Sequence, residues 1–329
     1  MVDGDTHGGG ERAVDVVIVT RNRPQLVARA IPSVLASQHR DLTLTVTDQS
    51  DGDETRTLVE SIAADDDRVR YLPLDTVGSS RARNAAIAAT SCSIVLFTDD
   101  DCLVDTTWVS EMIAEFEASS CDAVFGRLDP DTTDQPADAA EAPWLAVAVT
   151  EGETRRVFEP GPRETGFGHG ANMGFRREAL ERVGGFDPLL GTGGPLRSWP
   201  ERDIGYRISR GGGTVVFTPE ARVAHGQWRT WAEVFSVYRS YSYGAGASCL
   251  KYARCGQLSG LRLLVGWIFQ IGFRQMTSGV VRWRDIRKVR LGAIAVVWTI
   301  GGVFAGLRRP IDRATVRYVD TDVATPAGG

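Results

Sequence analysis

Residues 94–97 form a short, wholly apolar run that ends, after Thr98, in three consecutive carboxylates, Asp99, Asp100 and Asp101. A run of this length reads as a buried strand. In open α/β sheets ligands bind outside the carboxyl ends of the strands, so acidic groups placed there face a cleft. Three adjacent carboxylates repel one another unless a cation lies among them, and hard divalent ions such as Mg2+ or Mn2+ take oxygen ligands of this kind. A second triplet, Asp65-Asp66-Asp67, follows no such strand and reads as a solvated turn.

The same pattern of strand, polar loop and helix recurs on either side. Residues 14–19 are apolar and largely β-branched and stop at Thr20-Arg21-Asn22-Arg23-Pro24, and Pro24 suits the first turn of a helix. Over 25–37, Leu26, Val27, Ala30, Ile31, Val34 and Leu35 recur at helical spacing. Residues 42–47 predict a second strand ending at Asp48, with a helix over 54–64; a weaker strand covers 68–72 and an Ala-rich helix 81–90. Beyond the triplet come a helix over 107–118 and a strand over 121–126. Such alternation implies a largely parallel sheet with right-handed crossovers.

Residues 129–143 are acidic and rich in Pro and Ala and read as a mobile loop. Order returns at the glycine-rich segment 166–175, a helix over 176–183, and a helix opened by Pro200-Glu201-Arg202-Asp203 and stopped by Gly211-Gly212-Gly213. Short strands over 214–217 and 223–225 complete this part, the second ending at His225.

Here composition helps. The 329 residues carry a net charge of -5, but residues 227–319 hold 15 Lys and Arg against 3 Asp and Glu. The two parts therefore face different partners. Within the basic part, 231–246 is an aromatic-rich helix candidate, 261–273 is apolar apart from Arg262 and Gln270, and 291–307 has no charge. A spanning helix needs about 20 apolar residues, so 291–307 can span a membrane, lie on it or pack on the core. The Arg-rich segment 282–290 between them suits an interface with anionic lipid, and apolar runs beside basic residues fit lipid rather than nucleic acid. Five cysteines with no CxxC pair read as reduced thiols of a cytoplasmic protein. Residues 1–13 and 320–329 read as loose tails, the first without an apolar signal core. The Walker loop, the GxGxxG turn, the GxSxG elbow and the HExxH helix are all missing from the sequence.

Together, Val16-Val17-Ile18-Val19-Thr20-Arg21-Asn22-Arg23-Pro24, Asp48-Gln49-Ser50, Ser80-Arg81-Ala82-Arg83-Asn84, Thr98-Asp99-Asp100-Asp101, Gly170-Ala171-Asn172-Met173, Gly184-Gly185-Phe186-Asp187 and Glu201-Arg202-Asp203 resemble the motifs of family 2 glycosyltransferases, in order and spacing, over residues 14–226. The resemblance implies an α/β, Rossmann-like GT-A fold with a mostly parallel central sheet, extended by the helical residues 227–319. It also implies inverting transfer of a sugar from a nucleoside-diphosphate sugar to a hydroxyl acceptor. By resemblance to the family's DXD motif, Asp101 binds Mn2+ or Mg2+, Asp99 binds the metal or the ribose, and Asp100, the least defined of the three, falls with the nucleotide-binding residues. His225 is a further metal ligand, and Thr20, Arg21, Asp48 and Arg83 serve the nucleotide. The family places an acidic pair before a helix; here Pro200 replaces its first acid, leaving Glu201 as the base that takes the acceptor proton, with Asp203 as competitor. The basic extension suggests a lipid-linked or cell-envelope acceptor and attachment to the inner face of the plasma membrane. Nucleotidyl transfer onto a sugar phosphate, or a catalytically dead binding module, is the alternative.

Overall fold

Strand β1 (Val14–Thr20) is buried along nearly its whole length, as its unbroken β-branched composition requires of a strand covered on both faces. The computed structural model describes residues 13–134, 145–146, 148–150, 152–161, 164–282 and 284–321. After β1 come α1 (Pro24–Leu35), β2 (Leu42–Asp48), α2 (Glu54–Asp65), β3 (Val69–Pro73), α3 (Ser79–Ala89), β4 (Ile94–Asp99), β5 (Cys102–Val104), α4 (Trp108–Ala118), β6 (Ala123–Pro130), β7 (Leu145–Ala146) and β8 (Arg156–Phe158). Then follow β9 (Asn172–Arg176), α5 (Arg177–Arg182), α6 (Pro200–Arg210), β10 (Val215–His225), β11 (Trp228–Arg229), α7 (Trp231–Arg254), α8 (Ser259–Trp267), α9 (Arg274–Val281), α10 (Ile286–Leu307), β12 (Ile311–Asp312) and β13 (Arg317–Tyr318). A π-helical segment, Ile268–Phe273, joins α8 to α9.

The main sheet runs β3-β2-β1-β4-β9-β6-β10-β5, with β8 also paired to β10. The pairs β3/β2, β2/β1, β1/β4 and β6/β10 are parallel. The expected parallel sheet is interrupted by β9, which enters antiparallel between β4 and β6. Asn172 fixes this insertion from the interior: its Nδ2 donates to the carbonyls of Arg127 and Ala221, and its Oδ1 accepts from Trp108 Nε1 at 2.8 Å. The two short strands expected over 214–225 are one strand whose register slips between Thr218 and Arg222, where Pro219 supplies no N–H to the ladder. Of the expected loop, 129–134 belongs to the end of β6 and the turn after it, where Asp131 accepts from Arg29 at 2.9 Å; 135–143 lies outside the described residues. So do 1–12 and 322–329, but Asp320, expected in a tail, pairs with Arg81 at 2.7 Å.

Helix α7 starts with a capping box between Thr230 and Glu233 and lies along α10. A Cβ on Gly246 would overlap the Thr299 carbonyl, and one on Gly302 the Tyr243 carbonyl, so the two helices approach at a distance only glycine permits. The inner face of α10 is Leu291, Gly292, Ala295, Thr299, Gly302 and Gly306. Its outer face leaves Val297, Ile300, Phe304 and Leu307 exposed. With 22 residues and a mean hydropathy of 1.7 in its most apolar stretch, α10 is long and apolar enough to cross a membrane.

A buried ion network fastens the helical extension to α6. Lys251 of α7 has no exposed surface; its Nζ lies 2.5 Å from Asp187 Oδ2 and 2.6 Å from Asp203 Oδ1. Arg207 Nε donates to Asp203 Oδ2 at 2.8 Å, Tyr252 donates to Asp203 Oδ1 at 3.0 Å, and the Tyr318 backbone N–H donates to Asp187 Oδ2 at 2.8 Å. Burial alone would raise the Asp203 pKa, but Arg207 and Lys251 overcome it and hold the carboxyl below its usual range. Breaking a buried pair leaves an uncompensated charge, so Lys251→Met is expected to cost about 3–5 kcal/mol, measured by urea unfolding. An unchanged midpoint would show that the network contributes nothing to cohesion.

Candidate active site

The ladder registers align the strand ends that carry the predicted residues. Thr20 stands opposite Asp48 across β1/β2 and Val19 opposite Asp99 across β1/β4, while the antiparallel β5/β10 pair sets His225 against Cys102. The result is a cleft of about 620 Å³ whose walls include Thr20, Arg21, Arg83, Asp99, Asp100, Asp101, Glu201 and His225.

Each carboxylate of the triplet has its own surroundings. Asp100 accepts from Thr20 Oγ1 at 2.7 Å and from Arg23 Nη1 at 3.1 Å; burial first, then the charge of Asp101, push its pKa up to about 6 against the pull of Arg23. It is thus bound into the wall. Asp99 is the most open of the three, 28% exposed, and accepts from Arg83 Nη2 at 3.0 Å. Asp101 faces His225, Gln227 and Arg23 together: His225 Nε2 lies 3.2 Å from its Oδ1, the Gln227 amide donates to its Oδ2, and Arg23 lies 3.5 Å away. Burial would raise the Asp101 pKa, but His225 and Arg23 dominate and lower it.

His225 Nε2, 3.2 Å from Asp101 Oδ1, is a buried ring nitrogen that makes no well-formed hydrogen bond among the described residues. Orphaned buried polar atoms are rare in folded proteins. Ligand atoms of Asp101, Cys102 and His225 lie within 4.8 Å of one another, and burial holds the Cys102 thiol well above its ordinary pKa, in its neutral form. A carboxylate plus an imidazole fits Mn2+. Next to this pair His169 lies with its ring 5.6 Å from that of His225, and burial depresses its pKa to about 3, so it is a neutral imidazole.

Glu201 sits in the first turn of α6, its side chain 13% exposed. Burial raises its pKa, opposed by Arg202 and Arg83. Asp203 is not on the cleft wall; two residues on, it points about 200° round the helix, into the network with Lys251, Arg207 and Tyr252. Asp48 is also off the wall: it is 3% exposed, with Oδ1 accepting from the Ser50 N–H and hydroxyl and Oδ2 from Tyr71. Its neighbour Gln49 occupies the wall in its place. Arg21 is exposed and pairs with Asp51 at 3.2 Å, whereas Arg83 is buried against Phe186.

Four features escaped the sequence reading. Arg23 and Gln227 share the triplet with the expected residues, and position alone, in the loop after β1 and two residues past His225, was the available hint. Gln49 stands out in the sequence only as the middle residue of Asp48-Gln49-Ser50. The fourth is the wall formed by Ser236, Val237, Ser240 and Tyr241 of α7, which lies beyond the expected domain boundary at 226 and carries no motif.

Residues 15–184, just over half of the chain, match the model of glycosyl transferase family 2. A glucosyl-dolichyl phosphate glucuronosyltransferase of Haloferax volcanii is 25% identical over 241 residues, covering 70% of this chain and 75% of that protein. A GalNAc(5)-diNAcBac-PP-undecaprenol beta-1,3-glucosyltransferase of Campylobacter jejuni is 31% identical over 90 residues, 27% of this chain and 29% of that protein. Among solved structures, a mannosyltransferase of Pyrobaculum calidifontis in complex with GDP-Man and Mn2+ superposes with a TM-score of 0.59 at 15% identity, covering 91% of this chain and 88% of that one. These likenesses set nucleotidyl transfer aside. The α/β sheet with its acidic cleft is the GT-A fold, and the chain belongs to glycosyl transferase family 2 as a glycosyltransferase.

Proposed function

We propose that the chain is a metal-dependent, inverting glycosyltransferase that moves one sugar from a nucleoside-diphosphate sugar to a hydroxyl of a lipid-linked glycan at a membrane surface. The observation that carries this reading is that the Asp101–His225 pair and the half-buried Glu201 line one cleft. A divalent cation held by Asp101 and His225, with Asp99 beside them, would supply Lewis-acid neutralisation of the charge that builds on the diphosphate leaving group. Arg23 and Arg83, both drawn to the triplet, add fixed positive charge on the same side.

Glu201 is the one carboxylate lining the cleft outside the triplet, among the described residues. Inversion needs a single base, on the side of the sugar away from the leaving group, to take the proton from the attacking hydroxyl. A raised pKa makes Glu201 a stronger base than an ordinary glutamate. Asp203, held as the carboxylate partner of Lys251 and Arg207, is committed elsewhere. The named relatives act on lipid-linked substrates by their titles, and the solved mannosyltransferase carries GDP-Man and Mn2+. Membrane attachment draws support from the exposed apolar residues Leu261, Val265, Phe269 and Phe273, interspersed with exposed Arg262 and Arg274.

Thermal shift against UDP-, GDP-, dTDP- and CDP-sugars with and without Mn2+ identifies the donor. With it, Glu201→Gln is expected to lower turnover by about 10²–10⁴ while nucleotide affinity stays within a few-fold of wild type; retained turnover would remove Glu201 from the role. Because the base works ionised and its pKa is raised, kcat/KM should fall on the acid side at a pH above the ordinary glutamate value of 4.5. Asp101→Ala should abolish the Mn2+-dependent part of nucleotide binding in calorimetric titration; unchanged affinity with Mn2+ would count against the metal assignment.

A further inference from the structure

The walls of the cleft differ in kind. One carries charge, in Arg23, Arg83, the aspartate triplet and His225. Another is helix α7, which contributes Ser236, Val237, Ser240 and Tyr241 and, among the described residues, no charged side chain. These four stand at i, i+1, i+4 and i+5, within about 140° of arc, so they share one face of the helix.

Two contacts fix where that face lies. A Cβ on Gly244 would fall 2.7 Å from the Ser198 carbonyl oxygen, so α7 meets the chain there at a distance only glycine permits, three residues before Glu201. Two turns further on, Lys251 pairs with Asp203, two residues after Glu201. Ser240 and Tyr241 stand one turn before Gly244 and therefore come to the cleft beside Glu201. Burial first, and the charge of Glu201 next, push the Tyr241 pKa up to about 12, so the phenol keeps its proton. Its hydroxyl has no hydrogen-bond partner among the described residues, and neither have those of Ser236 and Ser240.

Three unengaged hydroxyls around one aromatic ring match a ligand that is itself uncharged and rich in hydroxyls. An anion would find no cation on α7, and an alkyl chain would cover the hydroxyls without pairing them. We infer that this face of α7 is the acceptor subsite and takes an uncharged sugar ring, with the Tyr241 hydroxyl holding one ring hydroxyl while another meets Glu201. The inference rests on the proposed function and adds the surface that selects the acceptor. In this arrangement the held acceptor hydroxyl gives its proton to Glu201 as its oxygen bonds the anomeric carbon, and the bond to the nucleoside diphosphate breaks on the opposite side. Helix α7 lies outside residues 15–184, so the surface belongs to this chain rather than to the part that matches the family model.

The test is NMR titration of the methyl glycosides of glucose, galactose, mannose and N-acetylglucosamine into the full chain, loaded with Mn2+ and the nucleoside diphosphate found in the donor panel. At least one glycoside is expected to bind. For that one, Tyr241→Phe, which removes only the hydroxyl, should weaken binding about three- to tenfold, the size of one neutral hydrogen bond. Tyr241→Ala should weaken it further and Ser240→Ala less, while nucleotide affinity with Mn2+ stays within about twofold of wild type in all three. That unchanged nucleotide affinity also shows the variants to be folded. Full glycoside affinity in Tyr241→Ala would overturn the subsite, as would the failure of every glycoside to bind a wild-type protein that holds nucleotide and Mn2+. Nucleotide affinity falling as far as glycoside affinity would give the face to the donor and overturn the acceptor assignment. Each of these results leaves the proposed function standing, whereas a wild-type protein that binds no nucleotide sugar overturns the glycosyltransferase reading itself.

Discussion

Three carboxylates in succession at the end of a buried strand would repel one another out of the fold if left alike, and most of the cleft exists to make them unlike. Asp100 is tied back to Thr20 and Arg23, Asp99 leans on Arg83 and stays open, and Asp101 is turned toward His225 and Gln227. The partners come from the carboxyl ends of β1 and β10 and from α3, so the electrostatics of one tripeptide depend on the register of distant strands. A slip of one residue in β1 would exchange the faces of every side chain on it and remove Thr20 from the site.

The local units were legible because their physics is local. The alternation of β-branched runs with helical periodicity gave the elements from β1 through α4 to within about two residues, apart from the short β5, whose three residues carry no pattern of their own, and the resemblance of seven short motifs named the fold. What was not legible depends on contacts between segments far apart in the chain. Nothing in the period of residues 172–176 says that they run antiparallel, because that direction is decided by the path of the loop before them and by Asn172 reaching the carbonyls of Arg127 and Ala221. Likewise, Glu201 and Asp203 are equivalent as helix-start carboxylates in sequence. Lys251, nearly fifty residues later, separates them by claiming Asp203 for the interior.

The basic extension shows what a composition shift does and does not mark. The composition changes at residue 227, yet α7 supplies a wall of the cleft and the buried ammonium that neutralises Asp187 and Asp203. A change in composition marks a change in what the surface meets, and the core can run straight through it. Here the glycine contacts hold α10 closely against α7, the helix that lines the cleft.

The antiparallel strand β9 also bears on how the chain assembles. Its five residues fill the slot between β4 and β6 but arrive more than forty residues after β6 ends. As the chain emerges during synthesis, the apolar edge of β4 and that of β6 have no strand between them over that interval. Unpaired apolar edges invite pairing with other chains, and closing them through a long connection is slow. The step that completes the floor of the cleft is therefore the one at which a nascent chain is most exposed to misassociation.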